Sequence, residues 1–356
     1  MKKLLLATAA TALCASVASA EDVKLGILIG FTGPIESLTS HMANAAEAAM
    51  AEVNASGKSA HNFLSVRGDS TCVDSAAATS AAERMVTAEG VKGIIGGDCS
   101  GVTGAVLQNV ARPNGIAMVS PSATSPALTT AEDDGLFFRT APSDAREGEV
   151  MGEILKEKGV TSIAMTYSNS DYGKGLAEAI AAGFTAQGGT VTINIPHEDG
   201  KADYSAEVAS LAAAGGDLLV VAGYLDQGGK GIIQASLDSG AFSQFVLPDG
   251  MVGEQLVTDI GAGLNGSFGQ YPGTDSEGAE IYQGLATAAG FDGTSAFSPE
   301  SYDAAALILE RSTSAQGLGD PDAWGDRRAD LVRAITILDR ALGEIALSPK
   351  QEHHHD

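Results

Sequence analysis

The sequence predicts an α/β protein built as two doubly wound parallel-sheet lobes joined by short hinge crossings. Three observations lead there. Short apolar runs alternate with longer Ala-rich stretches of helical period, the pattern of βα units around a parallel sheet. The alternation runs once, breaks near 138–142 and starts again. At 356 residues the chain has the length of about two domains.

In the first run, strands are expected over 23–29, 63–66, 93–95 and 116–119. Helices are expected over 37–55, 75–88 and 101–110, with Met42, Ala45, Ala46 and Ala49 sharing one face of the first. The second run gives strands over 162–167, 191–195, 218–222 and 244–247, and helices over 172–187, 205–214 and 227–239. Helical stretches at 277–289 and 301–312 have no strands of their own, so they must return to an earlier lobe. The expected organisation is therefore lobe 1 over 21–141, lobe 2 over 142–270, and a helical return over 271–345, mainly to lobe 1. Its last part, 324–345, reads as a charged helix, and 346–356 as a disordered tail.

Residues 1–20 read as a secretory signal peptide. Lys2 and Lys3 begin it, residues 4–17 are apolar or small, and Ala18-Ser19-Ala20 supplies a small-x-small cleavage site. Cutting after Ala20 would start the mature chain at Glu21 and place it in the periplasm. The apolar run is shorter than the roughly 20 residues that span a bilayer. Cys14 follows Leu13, where a lipid-anchor signal needs a small residue.

The formal charge is −24, from 45 acidic and 21 basic residues, and loss of Lys2 and Lys3 takes it to −26. So acidic a chain repels phosphate backbones, which argues against nucleic acid as a partner. Signal removal also takes Cys14 and leaves Cys72 and Cys99. Two cysteines in an oxidising compartment invite a disulfide; two separate buried thiols are the alternative.

Open parallel sheets bind ligands at the carboxyl ends of their strands. That directs attention to 30–37, 96–103, 120–126, 167–173, 223–227 and 248–253, which hold most of the Ser, Thr, Tyr and Asp that could meet in one cleft.

These loops carry a resemblance. Seven segments in order, KLGILIGFTGP, GGDCSGVT, VSPSATSPALT, SDYGKGLAEAI, VVAGYLDQGG, FVLPDGM and SPESYDAAAL, resemble the leucine/isoleucine/valine-binding protein family. Members are type I periplasmic binding proteins that serve ABC importers of amino acids and amides. The likeness covers about 21–311, and it implies that Cys72 and Cys99 form the family's early disulfide. It also implies a monomer that takes an amino acid or amide between its lobes and hands it to an inner-membrane permease.

The implied site is consistent with the chemistry of a free amino acid. Ser122 and Thr124 precede a short helix at 126–130, and Ser100 opens another; hydroxyls and backbone N–H groups at helix starts suit a carboxylate. Ordinary N-capping is the plainer reading of each. Asp249 follows a strand end, where an acid would pair with an ammonium; an Asp-Gly turn is its competitor. Tyr172 and Tyr224 match aromatics that cover the ligand from the second lobe, each combining an apolar ring with a hydroxyl; packing against the sheet edge is the competing reading.

Departures bear on the ligand. Leu38 stands where branched-chain binders carry an aromatic, while Phe297 fits the pocket floor. Glu300 and Glu36 are extra acids that would favour a polar or cationic ligand if they reach the cleft; simple solvation of both is the alternative. The family's closing strands are not evident after the helices, so the second lobe is expected to lack an edge strand.

No cofactor, resident metal or catalytic residue is expected. His353, His354, His355 and Asp356 could gather a metal adventitiously, but a disordered tail is the simpler reading. Gly261, Gly263 and Gly266 spell GxGxxG without a preceding strand. The remaining histidines, His41, His61 and His197, are poorly placed for a nucleophile–base pair. A ligand sensor for a membrane receptor, and less readily a periplasmic hydrolase, are the alternatives to transport.

Overall fold

The computed structural model describes residues 21–313, apart from 58, 60 and 274–276. The expected signal peptide (1–20), charged helix (324–345) and tail (346–356) lie outside the described residues.

Two five-stranded sheets form the frame, and every strand pair is parallel. The first contains β1 (Glu21–Ile29), β2 (His61–Asp69), β3 (Gly93–Gly96), β4 (Ala117–Ser120) and β5 (Phe137–Arg139), in the order β2-β1-β3-β4-β5. The second contains β6 (Ser162–Ser168), β7 (Thr190–His197), β8 (Leu218–Ala222), β9 (Phe245–Leu247) and β10 (Phe268–Gly269). Its order, β7-β6-β8-β9-β10, repeats the first. Central strands covered on both faces need apolar residues at successive positions, and Leu218 to Ala222 are accordingly all buried.

The helices are α1 (Glu36–Ser56), α2 (Ser75–Arg84), α3 (Ser100–Val106), α4 (Arg112–Asn114), α5 (Asp144–Glu157), α6 (Asp171–Ala186), α7 (Ser205–Ala214), α8 (Gly228–Ser239), α9 (Glu254–Ile260), α10 (Glu277–Ala289) and α11 (Ser298–Thr313). α7 and β8 coincide with their sequence-derived limits. The helix expected over 75–88 changes winding at Arg84 and continues as a wider turn, Met85–Glu89, to Gly90. α11 packs on α1 and against β3 and β4, and the Ser301 hydroxyl donates to the Met42 carbonyl at 2.7 Å.

Five elements were not expected: β5, α4, α5, α9 and β10, of which α4 prolongs the helix expected to end at 110. β10 pairs with β9 and forms an edge of the second sheet; the closing strands sought after the helices would fall outside the described residues. α5 was hidden by composition. Its buried positions are Asp144, Gly148, Met151, Gly152 and Leu155, a helical period of which only two members are large apolar residues.

Those glycines serve a close crossing. A Cβ on Gly148 would lie 2.3 Å from the Ala179 carbonyl carbon, and one on Gly152 would lie 2.4 Å from that of Gly183. α5 and α6 therefore touch backbone to backbone. Ser143 caps α5 by accepting from Ala145 N, and Ser170 caps α6 by accepting from Gly173 N at 3.1 Å. In lobe 1, Cys72 and Cys99 are joined, with Cα atoms 5.1 Å apart.

Gly148→Ala is expected to destabilise the protein by about 1–3 kcal/mol, because backbone must move to admit the methyl group; urea unfolding of wild type and variant measures this. Reduction of the disulfide, which closes a separation of 27 residues, should cost about 3–4 kcal/mol in the chain-entropy model. The same unfolding midpoints with and without a reductant test it.

Candidate functional site

The strand-end loops of the two sheets meet. Asp226 N donates to the Pro34 carbonyl at 3.1 Å, and Ser37 N to Asp226 Oδ2 at 3.0 Å. Farther along, a Cβ on Gly175 of α6 would lie 3.1 Å from Pro126 Cδ and 3.2 Å from Ser125 Oγ. These contacts join lobe 1 to lobe 2 around a shared, largely buried polar layer.

On the lobe 1 side, Asp98 ties three strand ends together. One of its oxygens accepts from Gly30 N at 2.7 Å and the other from the Ser70 hydroxyl at 2.6 Å. Burial pushes its carboxyl above the ordinary range, while these two donors act the other way. Beside it, Cys99 leads into α3. Ser100 Oγ accepts from Ser125 N at 3.1 Å, so this hydroxyl pins the 120–126 loop to α3. Ser122 donates to the Asp98 carbonyl at 3.1 Å. Thr124 is 1% exposed, and its side chain lies against the Asp144 carboxyl.

On the lobe 2 side, Asp249 follows β9 and is 1% exposed. The Tyr172 hydroxyl donates to Asp249 Oδ1 at 2.5 Å, and Gly250 N reaches the same oxygen at 2.7 Å. Tyr172 stacks on Tyr224 with ring centroids 5.1 Å apart. Both rings are buried, and burial raises both phenols well above their usual range, so they remain protonated. The sequence-derived set Thr124, Tyr172, Tyr224 and Asp249 thus belongs to one layer.

The other candidates are placed differently. Leu38 is buried, and its Cδ2 lies 3.3 Å from where a Cβ on Gly253 would sit, so it faces the second lobe. Phe297 is buried at the start of α11 with φ +61°. The Glu300 carbonyl accepts from Thr140 Oγ1 at 2.8 Å, at the crossing between lobes. Its carboxyl is pushed up to about 8 by burial. Glu36 is exposed at the first position of α1.

Two residues escaped the sequence reading. Asp144 and Glu147, one turn apart at the start of α5, join Asp249 in a group whose oxygens lie within 4.8 Å of one another. Glu147 Oε1 accepts from Asp249 N at 3.2 Å, and Gln270 donates to the Glu147 carbonyl at 2.8 Å. Asp144 is 0% exposed, with the Thr124 side chain against its carboxyl. Burial raises both carboxyls well above their ordinary values, and the neighbouring Asp249 charge adds to it. Asp249 itself is raised to about 6, by burial. Arg139 attracts Asp144, but its N–H groups go to the Ala123 and Ser125 carbonyls and to Thr129 Oγ1. The available signal was Ser143 after Pro142, an N-cap followed by two acids at i and i+3 on one helix face.

Two α/β lobes meeting over a layer of hydroxyls and carboxylates define a protein that encloses a small solute. The chain belongs to the periplasmic binding protein family, whose model matches residues 22–355. A Leu/Ile/Val-binding protein homolog 1 from Brucella abortus is 32% identical over 310 residues, covering 84% of this chain and 80% of that protein. The branched-chain amino acid transporter substrate-binding protein LivJ from Streptococcus pneumoniae, solved with isoleucine, superposes with a TM-score of 0.75 at 23% identity over 88% of each chain. An R. palustris ABC-transporter solute-binding protein, solved with 4-hydroxybenzoate, gives 0.74 at 20% identity, over 85% of this chain and 84% of that one. At these identities the two structures bear on the fold alone. These relatives are binding proteins and not enzymes, and so is this chain.

A carboxyl with a raised folded-state pKa holds its proton more tightly when folded than when unfolded. Its stabilising effect is full at low pH and is lost as pH rises from the unfolded to the folded value, for Asp249 from about 4 to about 6. Asp249→Asn cannot ionise and escapes that loss. Its stability relative to wild type should therefore rise between about pH 4 and pH 7, as measured by ligand-free unfolding across that range.

Proposed function

We propose that this protein is the periplasmic substrate-binding component of an ABC importer. It takes an α-amino acid, branched-chain or a related polar amino acid or amide, into the cleft between residues 21–141, with the helical return from 271, and residues 142–270. One observation carries the reading. The buried Asp249 carboxylate, held by Tyr172 and Gly250 N, shares its layer with the donor-bearing loop of Ser122 and Thr124 and with Ser100 at the start of α3. A zwitterion needs an acceptor for its ammonium and donors for its carboxylate; in this reading Asp249 serves the first, and Ser100, Ser122, Thr124 and the backbone N–H groups of their loops serve the second.

The names of the relatives support this ligand class and the transport role, and the acidic composition suits a soluble carrier. Export by the signal over 1–20, with cleavage after Ala20, and action as a monomer that docks on an inner-membrane permease complete the proposal. In this reading Leu38 and Phe297 border the ligand side chain.

Calorimetry with L-leucine, L-isoleucine, L-valine, L-glutamine and L-lysine is the test. An amino acid bound at 100 times its Kd should add about 2.7 kcal/mol of stability. Asp249→Ala should weaken that amino acid by roughly ten- to a hundredfold, since a hydrogen bond to a charged group contributes about 1.5–3 kcal/mol. Binding within twofold of wild type would leave Asp249 as a turn residue and remove the main support for an amino acid.

A further inference from the structure

We propose that Asp226 of lobe 2 is the N-cap of α1 in lobe 1, supplied across the cleft, so that one residue both latches the shut lobes and completes the helix turn that carries Leu38. The proposal rests on the cleft being the ligand site only in that the lobes part to admit a solute.

α1 begins without a cap of its own. Its N-cap position is Ile35, whose side chain can accept nothing, although the first N–H groups of a helix need an oxygen from outside it. Ser37 N, at the second helical position, donates instead to Asp226 Oδ2 at 3.0 Å. The backbone of the same residue returns a bond: Asp226 N donates to the Pro34 carbonyl at 3.1 Å. The two bonds run in opposite directions and reach the chain on either side of Ile35, so they fix orientation as well as distance. A carboxylate at the positive end of a 21-residue helix gains from the helix dipole as well.

Both halves of the latch are preset. Leu225 N donates to the Gly250 carbonyl at 3.0 Å and Gly229 N to the Tyr224 carbonyl at 3.2 Å, which hold the 223–227 loop within lobe 2. In lobe 1 the Thr39 hydroxyl donates to the Gly30 carbonyl at 2.7 Å and ties the start of α1 to the end of β1. Beside the bonds, Leu38 and Leu225 are buried, and a Cδ atom of each lies 3.3 Å from where a Cβ on Gly253 would sit. Shutting the lobes therefore joins two fixed surfaces, and parting them returns the Ser37 N–H to water.

Both bonds go to the protein itself, so their contribution falls equally on any solute the lobes enclose. The latch sets how firmly a solute is held and leaves the order of preference among solutes alone. Release requires the lobes to part, so affinity lost with the latch shows in the dissociation rate. Leu38 follows Ser37 directly on the capped turn. Asp226 is thus a positioning residue for the side chain that borders the ligand in the proposed site.

Gly101 and Asp171 supply a reporter of closure that needs no ligand. A Cβ on Gly101 would lie 3.8 Å from Asp171 Oδ2 of the other lobe. In the Gly101→Cys, Asp171→Cys double variant, dibromobimane can bridge the two thiols only while the lobes are shut, and the native disulfide offers it no thiol. Adding Asp226→Ala to this background should slow bridging about fivefold, the usual effect of a lost helix cap. Adding Asp226→Asn, which still offers a cap oxygen, should leave the rate within twofold of the background. Separately, stopped-flow release of whichever of the five amino acids binds should be about fivefold faster from Asp226→Ala, with the order of affinities among them unchanged. Equal bridging with and without Asp226→Ala, or no bridging in any protein, would overturn the latch. Asp226→Asn as slow as Asp226→Ala would overturn the cap, and an altered order of affinities would place Asp226 on the ligand instead. If none of the five binds while bridging slows in Asp226→Ala and recovers in Asp226→Asn, the latch stands and the amino-acid reading falls.

Discussion

The backbone-to-backbone crossing of α5 and α6 is the contact on which the cleft depends. Glycine at 148, 152 and 183 removes the Cβ atoms that would hold the two helices apart. Each helix begins at the cleft, so the crossing fixes two helix starts relative to each other. Asp144 and Glu147 stand on the first turn of one, and Tyr172 on the first turn of the other. Tyr172 in turn reaches Asp249 at the end of β9. The positive ends of two helices lie among these acids, a modest compensation for burying them. Three carboxylates so close could not be held in register by flexible loops.

The first lobe solves the same problem with other means. There a single buried carboxylate, Asp98, gathers the ends of β1, β2 and β3, and the disulfide from Cys72 to Cys99 secures the same corner covalently. With its own carboxylate pointed back into the strand ends, that corner offers the cleft chiefly hydroxyls and backbone groups. One lobe is therefore donor-rich and the other acid-rich. The identical strand order of the two sheets makes this contrast a matter of side chains, not of architecture.

Much of this was legible in the sequence. Buried strands such as β8 announce themselves as unbroken apolar runs, and residues directly after them, Tyr224 and Asp249 among them, inherit a position at the carboxyl edge. Periodicity failed where burial was achieved without apolar side chains. α5 turns glycines and an aspartate inward, so its inner face resembles a loop in composition, and the acids it carries were missed with it. β5 and β10 are too short to leave a pattern; pairing with a neighbour, not propensity, makes them strands. Ser100 and Ser122 were found, but their hydroxyls bond to the protein's own backbone, a detail that spacing along the chain does not encode.

Gly175 carries a consequence of its own. It stands on α6 where Ser125 and Pro126 of the opposite lobe come nearest, with room for hydrogen and little else. The residue therefore sets how closely the two halves can approach at this point. A bulky side chain there would work as a wedge, leaving each half folded but propped ajar. Such a variant would separate the first encounter with a solute from its enclosure, and the same position would suit an environment-sensitive dye that reports the shutting of the halves.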